Sequence, residues 1–323
     1  MLINGNWTRD WHPVQASDRD GRFVRQTSSF RSWITPDGQP GPTGDGGFHA
    51  EPDRYRLYVA LICPWASRVL MARVLKSLEA LLPVTVVEPF LTEQGWGFGA
   101  YPGSDRDPLY DAQFLHELYT RADPHYTGRA TVPVLWDTKR ETIVNNESAD
   151  ILRMLDTAFR SVAPITPSLY PDALADDIDA FAAWLYPALN NGVYQAGFAS
   201  SQTAYEEANR RVFDALDKLE ARFADSRDFV HGSRITESDV RLFVTLVRFD
   251  AAYHTLFKTN RRHIADYVGL QAFVERLLAL PGIANTVSIK HIKAGYFSIR
   301  ALNPSGIVPA GPHLAWDPAT RTQ

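Results

Sequence analysis

The period of the apolar residues changes abruptly at residue 63. Upstream, Tyr55-Arg56-Leu57-Tyr58-Val59-Ala60-Leu61 alternates and is rich in strand-forming side chains. Downstream, from Trp65 to Leu78, Val69, Leu70, Val74, Leu75 and Leu78 recur at helical spacing. A second strand-like run, Val84-Thr85-Val86-Val87-Glu88-Pro89-Phe90, follows closely. A strand, a helix and a strand joined by such short links predict a β-α-β unit with parallel strands and a right-handed crossover. The switch itself is Cys63-Pro64. Pro64 suits a first helical turn, where its missing N–H is no loss. The residue ahead of it faces unpaired backbone N–H groups and the positive end of the helix dipole.

Cys63 is the only cysteine among 323 residues. One reading makes it a small buried hydrophobe. The other makes it a nucleophile whose thiolate is stabilised by the helix start. A single thiol closes no internal disulfide and joins no Cys-rich zinc site, so its chemistry, if any, needs an external thiol.

Residues 1–50 carry many Gly, Pro, Asp and Ser, as in Thr35-Pro36-Asp37-Gly38-Gln39-Pro40-Gly41-Pro42, and read as an extended, largely loop-like arm. After the β-α-β unit, residues 91–128 form a long insertion with Gly95-Trp96-Gly97 and a helical stretch from Asp111 to Tyr119. Ala130-Thr131-Val132-Pro133-Val134-Leu135-Trp136-Asp137 reads as a strand entered through a proline, which is disfavoured centrally unless it begins the strand or sits at a special turn. Glu141–Asn145 is its hairpin partner, and a helix opens at Asn146-Glu147-Ser148. From about residue 170 the pattern is helical: Asp172–Asn190, Ser201–Ala224, Thr236–Phe257 and Leu270–Leu280. Thr236-Glu237-Ser238-Asp239 has the spacing of a capping box.

A net charge of −4 lacks the basic footprint of a nucleic-acid binder. The first residues show no secretory signal, and no apolar run approaches the 18 or so residues of a membrane span. One cysteine argues against a disulfide-stapled secreted protein. A cytoplasmic protein with no membrane or nucleic-acid partner is expected. The 13 Tyr and 8 Trp suit a site for a flat organic ring, although each aromatic taken singly is equally a packing residue.

The order β-α-β, loop, β-β-α resembles a thioredoxin-like domain. Followed by an all-helical domain, it resembles the glutathione-transferase architecture. That likeness divides the chain into an arm (1–50), a thioredoxin-like glutathione-binding domain (51–165) and an all-helical C-terminal domain with a tail (166–323). In a glutathione site, Cys63 would face the tripeptide's sulfur. Val132-Pro133 would be a cis-proline step leaving the Val132 backbone for the cysteinyl unit. Glu147 and Ser148 would take the γ-glutamyl amine and carboxylate. Arg129 would take the glycyl carboxylate. Alone, Glu147-Ser148 is also an ordinary charged helix start.

The likeness is closer still to the glutathionyl-hydroquinone reductases, the Xi class of that superfamily. It rests on Cys63-Pro64-Trp65-Ala66, Gly95-Trp96, Asp107-Pro108-Leu109-Tyr110, Tyr119–Pro124, Thr131–Asp137, Asn146-Glu147-Ser148, Asn190–Tyr194, Leu242–Asp250 and Asn303–Pro309. The resemblance implies that Cys63 is the nucleophile. It implies that Trp96, Arg129, Ala130, Thr131, Val132, Glu147 and Ser148 bind glutathione as co-substrate, with no metal. Tyr194 resembles the family's proton donor and acceptor. Tyr253 and Tyr296 resemble the tyrosines that lower the thiol pKa and line the quinol pocket, so three tyrosines are expected to converge above Cys63. A homodimer is implied as well. Ser67 stands where many members have His, and Lys293–Phe297 lacks a His and a second Tyr found in some members, which bears on substrate preference. The rival functions are a general glutathione-dependent thiol transferase (glutaredoxin-like or dehydroascorbate reductase) and a non-catalytic interaction module. A thiol of pKa about 8.5 is only roughly 3% ionised at pH 7, and lowering it three units multiplies the thiolate only about 30-fold. Proton transfer by Tyr194 is therefore expected to matter as much as thiol activation.

Overall fold

The computed structural model describes residues 1–9, 17–44, 46–314 and 316. Packing separates them into two units: one draws on Met1–His12 and Thr27–Ser168, the other on Pro13–Gln26 and Leu169–Gln323. Of the described residues in the first fifty, 1–9, 27–44 and 46–50 group with the first unit and 17–26 with the second.

The first unit is built on a four-stranded mixed sheet. Strand β1 (Tyr55–Val59) leads through Cys63 into helix α1 (Pro64–Leu75), and β2 (Val84–Val86) returns parallel to β1 with Tyr58 opposite Thr85. Helix α2 is Leu115–Ala122. Strands β3 (Val134–Asp137) and β4 (Thr142–Asn145) form a hairpin, and helix α3 (Ser148–Thr157) follows. The spatial order is β4-β3-β1-β2, with β3 antiparallel to β1. Helices α1 and α3 pack on each other, and α2 packs on β4. The predicted β-α-β unit is present, with tighter bounds. Helix α1 ends three residues before Leu78, because Lys76 turns inward and Ser77 takes a left-handed φ of 53°. Strand β2 stops at Val86, and Glu88 gives its N–H to Gly97 instead of continuing the ladder. Within residues 1–50, Leu2–Ile3 pairs with Asn6–Trp7, and Trp33–Thr35 runs parallel to Gly47–His49.

In the second unit, α4 (Ala175–Leu185) runs into a π-helical turn, Tyr186–Asn190, and α5 (Gly192–Gly197) follows. The long α6 (Gln202–Phe223) packs on α5 and on α8 (Val268–Ala279). Helix α7 (Glu237–Arg248) passes into a second π-helical turn, Phe249–Tyr253. Helix α9 (Ile289–Phe297) packs on that turn. The predicted cap of α7 is present: the Asp239 carboxylate takes the Thr236 N–H at 2.7 Å and its hydroxyl at 3.0 Å. Helices α5 and α9 had no separate sequence signal. Among the described residues no single helix is long and apolar enough to cross a membrane.

Candidate functional site

In the first unit, Cys63 occupies the N-cap of α1 in extended backbone (φ −78°, ψ 119°), with Pro64 in the first turn. Its carbonyl already accepts the Ser67 N–H at 3.0 Å, so the helix is closed beneath it. The residue is 9% exposed, and its thiol donates to the Val132 carbonyl across 3.7 Å. The Val132–Pro133 bond is cis, as the family likeness implied. The thiol therefore lies against the entry to β3.

The segment ahead of Pro133 is held by Tyr119, on α2. Its hydroxyl donates to the Thr131 carbonyl (2.8 Å) and accepts the Thr131 N–H (3.1 Å) and an Asn146 side-chain N–H (3.1 Å). One proton and two lone pairs are then all in use. Burial pushes this phenol up to about 12, so it stays neutral and keeps its donor. Asn146 also clamps Phe30, giving its backbone N–H to the Phe30 carbonyl and accepting the Phe30 N–H, both at 3.1 Å. Tyr119 and Asn146 thus tie the Thr131–Val132 segment to the start of α3.

At that start, Glu147 is the N-cap. One carboxylate oxygen accepts the Ala149 N–H at 3.1 Å; the other accepts the Ser28 hydroxyl at 3.0 Å. The Glu147 N–H is fixed on the Asn145 side chain at 2.7 Å, and Ser148 is buried. The carboxylate thus serves as a charged helix start, and the oxygen that meets Ser28 has a second lone pair beyond that bond. Trp96 sits half-buried on a two-residue strand paired with Leu91–Thr92. Arg129 and Ala130 are half-buried just ahead of Thr131, and the Arg129 carbonyl accepts the Tyr126 hydroxyl at 3.2 Å.

The second unit brings Tyr194, Tyr253 and Tyr296 together. Tyr194 is on α5, Tyr253 ends the second π-helical turn, and Tyr296 is on α9. The Tyr296 hydroxyl lies 2.5 Å from that of Tyr194 and 3.0 Å from that of Tyr253, so the three phenols form a hydrogen-bonded series. All three are buried, and Phe257 fills the space between them, with ring centroids 5.2 to 5.7 Å from each. Burial first, then the two neighbouring phenols, raise the Tyr296 pKa well above its ordinary value, partly opposed by Arg248. Tyr296 therefore stays neutral between its two neighbours. The Arg25 guanidinium stacks on the face of Tyr194 at 4.8 Å and donates to Asn191 at 3.0 Å.

Sequence reasoning missed four residues in these arrangements: Ser28, Tyr119, Asn146 and Arg25. Tyr119 and Asn146 lay within the quoted family stretches without a role. Ser28 and Arg25 lie in a segment without periodicity.

A thiol at a helix start against a cis-proline strand, in a β-α-β/β-β-α unit accompanied by a helical unit, defines a glutathione transferase. Residues 62–158 match the glutathione S-transferase N-terminal domain and residues 202–276 the C-terminal domain. The chain is 50% identical to the glutathionyl-hydroquinone reductase YqjG of Escherichia coli, over 97% of this chain and 95% of that protein. It is 45% identical to the glutathionyl-hydroquinone reductase PcpF of Sphingobium chlorophenolicum, over 97% and 96% of the two. The glutathione-bound structure of Escherichia coli YqjG superposes with a TM-score of 0.90 at 47% identity, covering 98% of this chain and 97% of that one. The glutathione transferase Xi of Phanerochaete chrysosporium gives 0.87 at 46% identity, covering 92% and 94%. The chain belongs to the glutathionyl-hydroquinone reductases, the Xi class of the glutathione transferases.

Proposed function

We propose that the protein reduces glutathionyl-hydroquinones to hydroquinones with glutathione as co-substrate, through a Cys63–glutathione mixed disulfide. Trp96, the Arg129–Val132 segment, Glu147 and Ser148 bind the glutathionyl moiety. An aromatic carbon–sulfur bond is a poor leaving bond, so the ring is first converted to its keto tautomer. Tyr194 gives a proton to the ring carbon that bears sulfur and takes one from the ring hydroxyl. The Cys63 thiolate then attacks the glutathione sulfur. The sulfur–sulfur bond forms as the carbon–sulfur pair passes into the ring, leaving an enolate that becomes hydroquinone on protonation at oxygen. A second glutathione, as thiolate, attacks the glutathionyl sulfur of the mixed disulfide, releasing glutathione disulfide and regenerating the Cys63 thiolate. In balance, one glutathionyl-hydroquinone and one glutathione give one hydroquinone and one glutathione disulfide. The cycle as written calls on no metal. Family likeness supports a homodimer working in the cytoplasm.

The observation that carries this reading is the series of three buried phenols, 2.5 and 3.0 Å apart. Simple disulfide exchange has no use for it. The test compares turnover of glutathionyl-menadiol with reduction of a glutathionylated disulfide. Cys63→Ala should abolish both. Tyr194→Phe should lower quinol turnover by about 10²-fold or more while leaving disulfide reduction within a few-fold. Equal retention of both activities by Tyr194→Phe would refute the assignment and favour a general thiol transferase, and equal loss of both would refute a quinol-specific role for this phenol.

A further inference from the structure

Arg25 lies in the N-terminal stretch that packs with the second unit, between two phenyl-type rings. Its guanidinium is 5.5 Å from the Phe23 ring and 4.8 Å from the Tyr194 ring. Phe23 is itself buried and packs on Phe198, whose ring stacks on Tyr194. The Asn191 side-chain oxygen accepts the Arg25 Nε–H at 3.0 Å and so fixes the planar group over the ring. This is a built arrangement: an aromatic wall, an amide anchor and a permanent cation against one particular phenol.

We infer that Arg25 is a positioning residue for the reductase reaction, holding a positive charge against Tyr194 so that its phenol can give up and regain a proton. The inference rests on the proposed role of Tyr194. A phenol that donates its proton to a ring carbon becomes a phenolate until it recovers a proton from the ring hydroxyl. A cation over the ring face stabilises that phenolate through Coulomb attraction and the ring quadrupole. Other groups near Tyr194 are arranged differently. Tyr296, at 2.5 Å, and Tyr253, whose ring is 5.9 Å from that of Tyr194, are neutral hydrogen-bonding phenols. Arg248, on α7, acts on Tyr296. On α6, Arg211 is engaged with the Gln195 side chain at 3.2 Å, and Glu207 pairs with Arg22 at 3.1 Å. Among the contacts described, Arg25 is the cation that lies over the ring asked to ionise.

The test uses the full-length protein and glutathionyl-menadiol. Arg25→Met removes the charge but keeps a stem to fill the gap, and Arg25→Lys keeps the charge. With Arg25→Met, kcat should fall about tenfold with KM little changed, and the alkaline limb of the kcat profile should move up by about one to two pH units. Arg25→Lys should keep the limb within about half a unit of wild type. In a Tyr194→Phe background, Arg25→Met should cost nothing further, because the cation acts through that phenol. Phenolate absorbance, read as wild type minus Tyr194→Phe, should show the same displacement on adding Arg25→Met, independently of turnover. Superimposable pH profiles, or an equal loss with and without Tyr194, would overturn the inference. If the Tyr194→Phe comparison of quinol and disulfide substrates fails instead, the function itself is refuted, and that result is read without Arg25. Should Arg25→Met not fold, the Arg25→Lys profile decides: a limb displaced by a full unit despite the retained charge is the refuting result.

Discussion

Tyr119→Phe removes a single oxygen atom from the framework that joins the β3 entry to the start of α3. The ring's neighbours, Phe30 at 5.8 Å and Tyr126 at 5.1 Å, keep their contacts, so the change isolates the hydroxyl. Three hydrogen bonds are lost. Thr131 is half-buried, so water can replace its two bonds at little cost. Asn146 is 5% exposed, and its N–H loses an acceptor where water is scarce. One unsatisfied buried donor costs about 1–3 kcal/mol, and the solvated pair adds little, so about 2 kcal/mol of destabilisation is expected. The functional effect is separate. Under the proposed pairing of glutathione with the Thr131–Val132 segment, a loosened segment must be ordered again on binding. If that ordering costs about 1 kcal/mol, close to the freezing of one residue, affinity for glutathione falls about fivefold. Urea denaturation measures the first quantity, and calorimetric titration of glutathione measures the second. Stability within about 0.5 kcal/mol of wild type, together with unchanged glutathione affinity, would refute the claim that this phenol organises the site.

Lys76 and Asp156 form a buried pair at 2.8 Å, with Asp156 also accepting the Ser168 hydroxyl at 2.8 Å. Lys76→Met should cost about 3–5 kcal/mol in denaturant melts, whereas Lys76→Met with Asp156→Leu should recover most of that; a double variant as weak as the single would contradict the charge argument. Burial, outweighing three hydrogen bonds, holds the Asp239 carboxyl up at about 6. Its folded pKa exceeds the unfolded value, so stability from this group is full below about pH 4 and falls as pH rises to about 6, by about 3 kcal/mol. The stability of wild type relative to Asp239→Asn should therefore decline between pH 4 and 6.5; a gap that is flat, or that grows with pH, would show that the hydrogen bonds outweigh burial.

The β-α-β unit was legible because its cause is local. Alternation up to Leu61, Cys63-Pro64 at the joint and helical spacing afterwards each act within a few residues of chain, and the structure follows them to within a turn. The proline ahead of β3 was legible for the same reason. The bounds of α1 and β2 were not, because distant partners set them: Asp156 draws Lys76 inward, and Gly97 takes the Glu88 N–H. The likeness to a family named the three tyrosines, but no spacing could, since their hydroxyls join residues 102 and 43 positions apart. Arg25 and Ser28 sit where Pro, Gly and Ser dominate and neither helical nor strand periodicity exists to orient them. Their partners, Tyr194 and Glu147, lie more than a hundred residues away.

The π-helical turn at Phe249–Tyr253 shows why even the right residues were assigned to the wrong local geometry. Helical spacing continues without a visible break from Thr236 to Phe257, and the sequence therefore reads as one helix. An ordinary helix advances about 100° per residue, so one inserted residue rotates everything beyond it by that amount relative to a wheel drawn from Thr236. Tyr253 stands at the end of the inserted turn, and from there its hydroxyl reaches Tyr296 at 3.0 Å while its ring stacks on Phe257 at 5.2 Å. Asp250, in the same turn, accepts the Ile264 N–H at 2.7 Å and the Ala265 N–H at 3.3 Å, holding the turn from outside the helix. A π turn gives up regular i to i+4 bonding, so it persists only where such external bonds offset the loss. Beyond the local stack on Phe257, the orientation of Tyr253 is thus fixed by contacts that reach 14 to 43 residues along the chain, which a helical wheel cannot contain.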